Sequence, residues 1–325
     1  RGRIGRPPER LFRSFCDAGI ATMRSHYGAD ANFLAFRAGP IGAFHIHADQ
    51  ISLDVTAVGK PRLVDPGITS YAPDRLTDHY RSALAHNTIV VGRKGLDLAR
   101  LDFAQRIRPA GEDLCWRSQG PIEVVTGACR GPWEGIEGEC AIHRSVIFVR
   151  AAYWIVRDMI KGDGEHEVTA CWQFFPGRVE MVLETSAAEF VDARGPGMKL
   201  MPLLGSAESQ SEIAVGLTRP PRGWVSVEGA DLPATSLQYT IHTGPEATLI
   251  WLIIPFRAKQ DSRVKASRFD SDDHCVTLDI CFPSGVKDLI RLHPADVWAG
   301  DWHPGHPDGR IDYECSENTN AVSNM

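Results

Sequence analysis

Glycine or proline interrupts this chain every few residues, and that punctuation limits what it can fold into. With 30 glycines and 21 prolines among 325 residues, apolar runs stop after about ten positions, too soon for long helices but long enough for strands. The runs that remain are strand-like. In 44–59, Ile51, Leu53, Val55 and Ala57 share one face and Ser52, Asp54 and Thr56 the other, which is the period of an extended segment. Further strands are expected at 33–39, 61–67, 87–92, 211–217, 247–256 and 275–282. A hairpin is expected from 142–150 and 153–160, followed by a turn at 161–166. One segment has helical periodicity, Glu9–Arg24, where Leu11, Phe12, Phe15 and Ala18 form a weak apolar stripe. Strands do not alternate with helices, so a doubly wound sheet is excluded. The pattern predicts an all-β protein, a large antiparallel β-sandwich with a short N-terminal helical segment. Residues 1–28 are read as a helical join, 29–300 as the sandwich, and 301–325, rich in Asp, His, Pro, Gly, Ser and Asn, as an irregular tail.

Composition removes several function classes. Hydrophobic residues at 43% and charged residues at 23% are ordinary globular values, which excludes wholesale disorder. The formal net charge of −6 has the wrong sign for a general nucleic-acid binder. No apolar run approaches the roughly 20 residues of a membrane helix. The eight cysteines contain no CxxC pair, so a zinc ribbon has no support, and several lie in apolar runs as expected of buried free thiols. The start at Arg1, with five arginines in the first thirteen residues and no apolar leader, leads to the expectation of an upstream part.

The chemistry-bearing stretch runs from His45 to Asn87. His45 and His47 are two apart, which on a strand places both imidazoles on one face, with Asp49 beside them. Asp65 comes 18 residues after His47, and His86 a further 21 residues on, directly before the apolar NTIVV run. Two imidazoles and one carboxylate converging from three strand ends make a metal-ligand set. It suits zinc with a water in the fourth position, or the two-His-one-carboxylate site of a non-haem iron oxygenase. A hydrogen-bonded core His–Asp pair with His86 unrelated is the plainer alternative.

The same stretch resembles the signature of the heparinase II/III family of polysaccharide lyases. The resemblance is carried by His45-x-His47-Ala48-Asp49-Gln50-x-Ser52, then Gly59-Lys60-Pro61-x-Leu63-Val64-Asp65-Pro66-Gly67, then Tyr71, Tyr80-Arg81-Ser82 and Ala85-His86-Asn87-Thr88. His143-Arg144, Asp158 and Gly164 to His166 extend it, and it is dense over 33–175 and faint beyond. It implies an antiparallel supersandwich preceded by an α-helical toroid, with the substrate cleft between them. This chain would hold mostly the β part.

The resemblance also implies roles. Zinc would be held by His47, Asp65 and His86, pinning loops beside the cleft rather than acting as a Lewis acid. His45 would face the cleft and neutralise the carboxylate of a uronic acid during β-elimination. The general base and acid would lie largely on the toroid. Tyr71, Tyr80 and Arg81 are the local candidates for contact with an acidic, uronate-containing polysaccharide. The chain alone is then expected to bind about one zinc and show little cleavage. Export of many family members implies a periplasmic or extracellular location. A non-catalytic glycan-binding sandwich is the remaining alternative. Trp133, between Gly131-Pro132 and Glu134-Gly135, is the best candidate for an exposed sugar-stacking ring.

Overall fold

The structure is a computed structural model that describes residues 5–107, 114–192, 195–205, 209–271, 275–293 and 310–316. Every strand pairing in it is antiparallel. The first sheet has five strands in chain order, Phe12–Phe15, Ile20–Arg24, Phe33–Arg37, Ser52–Ala57 and Lys60–Leu63. An eight-stranded sheet forms the centre. Its four middle strands are, in spatial order, Gly197–Leu203, Glu246–Phe256, Tyr153–Gly162 and Cys140–Val149, with Ile122–Cys129 next. One four-stranded sheet carries Ser209–Val215, Thr235–Thr243, His166–Gln173 and Ile89–Val91. Another, C-terminal, carries Lys265–Asp270, Val276–Cys281, Lys287–Leu292 and Ile311–Ser316.

The central sheet is buried on both faces, which accounts for the near-continuous apolar runs of its strands. Along Glu246–Phe256, Leu249, Trp251 and Ile253 enter one core, while Ile250, Leu252 and Ile254 enter the other. Val146 and Phe148 alternate in the same way with Ile147 and Val149. The first core packs the five-stranded sheet and the strands around Ile89–Val91 against the central sheet. The second packs the C-terminal sheet on the opposite face. An amphipathic sheet with one wet face would show alternation at these positions. Here the apolar runs record two layers of partners.

Three expectations are corrected. Glu9–Arg24 is not helical: it forms the strands Phe12–Phe15 and Ile20–Arg24 around a single 3-10 turn, Cys16–Ala18. Gly19, left-handed at φ 61°, reverses the chain, and pairing with Phe33–Arg37 outweighs a weak helical stripe. The strand expected over 44–59 covers only Ser52–Ala57, because His45 and Ile51 both take positive φ, 54° and 53°, and break extended geometry. Within the tail, Ile311–Ser316 is a strand paired to Lys287–Leu292. The hairpin at 142–150 and 153–160 is present as Cys140–Val149 and Tyr153–Gly162.

The C-terminal sheet is tied to the central one by a buried acid. Asp288 accepts from Arg150 Nη2 at 2.6 Å, Tyr153 Oη at 2.9 Å and Tyr313 Oη at 3.0 Å. Removing it strands a guanidinium and two hydroxyls. Asp288→Ala is expected to destabilise the fold by about 3 kcal/mol or more, read as a lowered urea midpoint. Leu289→Ala, on the exposed face of the same strand, should stay within about 0.5 kcal/mol.

Candidate metal centre

Three loops meet at the edge where the first sheet joins the Ile89–Val91 strand. His47 lies in the irregular segment before Ser52–Ala57, held where the Ala48 amide donates to the Arg81 carbonyl at 2.9 Å. Asp65 follows Lys60–Leu63. The Gly67 amide donates to its Oδ1 at 2.8 Å, which aims Oδ2 at the other ligands. His86 follows the 3-10 turn Ala83–Ala85, and its Nδ1 lies 2.8 Å from the Ser82 carbonyl. A carbonyl only accepts, so Nδ1 carries the proton and Nε2 presents its lone pair.

His47 Nδ1 stands 3.3 Å from His86 Nε2, and Asp65 Oδ2 also stands 3.3 Å from that nitrogen. One donor atom from each residue lies within 4.8 Å of the others, a grouping matched by no other set of three among the described residues. Ligands about 2.0–2.1 Å from a tetrahedral centre are roughly 3.3 Å apart. Two of the three donor spacings therefore match those around a divalent ion, and all three residue types suit one.

The surrounding charges favour a cation. Burial pulls the His86 imidazole toward neutrality, but the hydrogen bond and charge of Asp65, the charge of Asp49 and the Ser82 carbonyl carry it above its ordinary value. Burial works against the Asp65 carboxylate, yet its contacts with His86 and the Gly67 amide hold it below the usual range. His47 is lowered, first by burial and then by the charge of His86. Asp54 is pushed up to about 7 by burial and by the negative charge of Asp65. Asp49 is raised by burial and pairs with Arg37 at 3.0 Å. Three carboxyl groups crowd two imidazoles here, an arrangement that a divalent cation would relieve.

Beneath the centre, a single side-chain network fixes all three ligand segments. Arg144, fully buried, sits opposite Asp158 in the central sheet and binds it through Nε and Nη2 at 2.6 and 3.0 Å. Its Nη1 donates at 2.8 Å both to the Ile51 carbonyl, on the His47 segment, and to the Asn87 carbonyl, next to His86. Asn87 Nδ2 donates to the Val64 carbonyl, beside Asp65, at 3.1 Å, and its Oδ1 accepts from the Gln173 amide at 2.6 Å. Trp251 Nε1 completes Asp158 at 3.0 Å.

The other expected site residues separate. His45 does not share a strand face with His47. Its left-handed backbone turns it outward, where its ring lies 4.8 Å from that of Tyr71. Tyr71 is 62% exposed, and Phe44, the residue before His45 and not expected from the sequence, is 83% exposed. Tyr80 is corrected as a substrate contact: it is buried, and its hydroxyl donates to Asp231 at 2.8 Å. Arg81 is half-buried, with its Nε unpartnered and its charge felt at His47. Trp133 is corrected too, being buried with Nε1 on the Cys140 carbonyl. Arg144 and Asp158 belonged to the resemblance without an assigned role, and each carried a further signal, a charge in the middle of an apolar strand. Asp231, distant in sequence, carried none.

Arg144→Met should cost about 3–5 kcal/mol, because it leaves Asp158 as a buried unpaired charge. Asn87→Ala should cost about 1–3 kcal/mol through the orphaned Gln173 amide. Urea denaturation measures both.

Residues 7–267 match the family described as heparinase II/III-like, C-terminal. A heparin-sulfate lyase of Bacteroides stercoris is 23% identical over 203 residues, covering 61% of this chain and 28% of that protein. One from Pedobacter heparinus is 23% identical over 176 residues, covering 53% and 24%. The chain thus spans about a quarter of the length of these curated relatives. In fold it resembles the crystal structure of a mutant heparan sulfate lyase HepC from Pedobacter heparinus, with a TM-score of 0.72 at 17% identity, over 89% of this chain and 44% of that one. A heparinase III structure gives 0.71 at 18%, over 90% and 44%. On the match over 7–267, which takes in all three donor residues and the network beneath them, the chain belongs to the heparinase II/III-like family and carries its C-terminal region.

Proposed function

We propose that this chain is the β-sandwich part of a lyase that cleaves uronate-containing polysaccharide of the heparan-sulfate type by β-elimination, with a structural zinc at His47, Asp65 and His86. The observation that carries the reading is the donor triad, with His47 and Asp65 each 3.3 Å from His86 Nε2 and all three atoms within 4.8 Å, and an exposed imidazole, His45, turned out beside it. The relatives named as heparin-sulfate lyases support the substrate class. The oxygenase alternative, which uses the same donor set, draws no support from these relatives.

Zinc bound here would supply positive charge and tie three loops together. The chain's own residues then do the following. His47, Asp65 and His86 hold the 44–51, 64–72 and 82–88 segments in fixed relation, so that His45 and Tyr71 keep one placement. His45 donates a ring N–H to the substrate carboxylate. Withdrawing charge there acidifies the proton at C5, and the interaction strengthens as negative charge builds on the carboxylate. A base takes that proton, the electron pair forms the C4–C5 double bond, and an acid protonates the departing O4. Those two groups are assigned to the helical part that the resemblance implies. Tyr71 presents a ring face and a hydroxyl to the sugar, and Arg81 is the nearby cation.

Elemental analysis of the purified chain should find about one zinc, falling to background in His47→Ala, Asp65→Ala and His86→Ala. Iron in its place would sink the zinc assignment. In a form of the protein that cleaves, His45→Ala should lower kcat by roughly 10²–10³-fold, followed by the absorbance of the unsaturated product. Retention of zinc would separate this loss from collapse of the site.

A further inference from the structure

Away from the metal centre, a cavity of about 870 Å³ opens along the first strand. Arg10, Arg13, Arg24, Tyr27 and Trp116 line it, with Glu9 as its carboxylate. The Arg24 guanidinium lies 4.7 Å from the Tyr27 ring centroid and 4.8 Å from that of Phe33, and Arg13 lies 5.1 Å from Phe15. Stacked in this way, a guanidinium keeps its N–H edge free for an anion. Elsewhere, Arg37, Arg144, Arg150 and Arg257 each pair with an aspartate. The three groove arginines have no carboxylate in ion-pair reach among the described residues. Three uncompensated guanidiniums around one cleft, in a chain of net charge −6, form a local positive field.

The register of the first sheet connects this groove to the metal centre. Arg13 faces Thr22, Thr22 faces Ala35, and Ala35 faces Asp54. Directly opposed residues share a face, so this row runs from Arg13 to Asp54, whose carboxyl accepts from the Asp65 backbone. Arg24, Phe33 and Thr56 form the neighbouring row on that face. The opposite face, with Met23, Leu34 and Val55, is buried in the core. Four strand spacings separate the two edges of the sheet, about 19 Å. That is the length of several sugar units.

We propose that this groove is a second binding site for an acidic glycan, holding a stretch of the chain distal to the point of cleavage. The proposal rests on the lyase reading for the identity of the glycan, while the groove itself stands on its own residues. Arg10, Arg13 and Arg24 pair with carboxylate or sulfate groups, and Tyr27 and Trp116 offer ring faces to the apolar side of a pyranose.

The test is calorimetric titration of the chain with a heparan-sulfate decasaccharide and with a disaccharide. Arg13→Gln with Arg24→Gln should weaken decasaccharide binding about tenfold or more and leave any disaccharide binding unchanged. Lys265→Gln with Lys287→Gln, on the remote C-terminal sheet, should change neither. If the Arg24 substitution lowers the melting temperature, Arg10→Gln with Arg13→Gln replaces it, with the same expected loss. Unchanged binding in the groove variants, or an equal loss in the remote pair, would overturn the site. Inorganic polyphosphate of matched charge that binds as tightly and weakens as much would overturn the glycan assignment. His47→Ala with His86→Ala should leave the groove's share of binding intact. Groove binding without cleavage by a longer form of the protein would count against the lyase reading alone, and cleavage with indifferent groove variants against the groove alone.

Discussion

A guanidinium with no access to water holds this site together. Arg144 binds Asp158 within the central sheet and still has one nitrogen left, which reaches the backbone on either side of the triad, at Ile51 and Asn87. A buried ion pair is weak grounds for stability in itself, since desolvation offsets most of its attraction. Its use here is positional. The planar fork satisfies two carbonyls that loops would otherwise leave unpaired in the core. Asn87 carries the same register to Val64, so the three donor segments share one anchor in the central sheet.

The layer arrangement explains why that anchor lies where it does. The central sheet is covered on both sides, and its strands are apolar almost without a break. A charged pair in such a layer must be matched within it, and Arg144 and Asp158 are cross-strand partners. The loops it supports are irregular, with left-handed turns at His45 and Ile51. Irregular backbone at a site edge is tolerable because a regular sheet beneath supplies its hydrogen bonds. The hairpin Trp224–Val227 and Ala230–Pro233 covers the same loops from the other side, the Ser226 amide donating to Pro66 and Asp231 accepting from Tyr80 and Thr69.

Much of this could be read before any coordinates. Short alternating runs gave antiparallel strands, the Cys140–Gly162 hairpin stood out, and His47, Asp65 and His86 were picked out by motif. Two errors have the same origin. Period-2 reasoning placed His45 and His47 on one strand face, and a weak 3.6 period made Glu9–Arg24 a helix. In both, a local pattern was overruled, at His45 by a left-handed turn and at Phe12–Phe15 by pairing with Ile20–Arg24. Tyr80 and Trp133 looked like exposed contacts because aromatic residues in polar loops usually are. Each found a buried acceptor, Asp231 or the Cys140 carbonyl.

By itself, the order of residues determined that the chain would be β, that three particular ligands were candidates, and to which family they belonged. Those properties depend on side-chain period and on motif spacing, which are local. Tertiary structure alone decided that the triad's donor atoms come within 4.8 Å of one another, that His45 turns away from them, and that Arg13 and Asp54 lie on one face of one sheet. Those depend on which strands become neighbours. Sequence distance says little about that, because antiparallel pairing brings together residues from far-apart stretches of the chain.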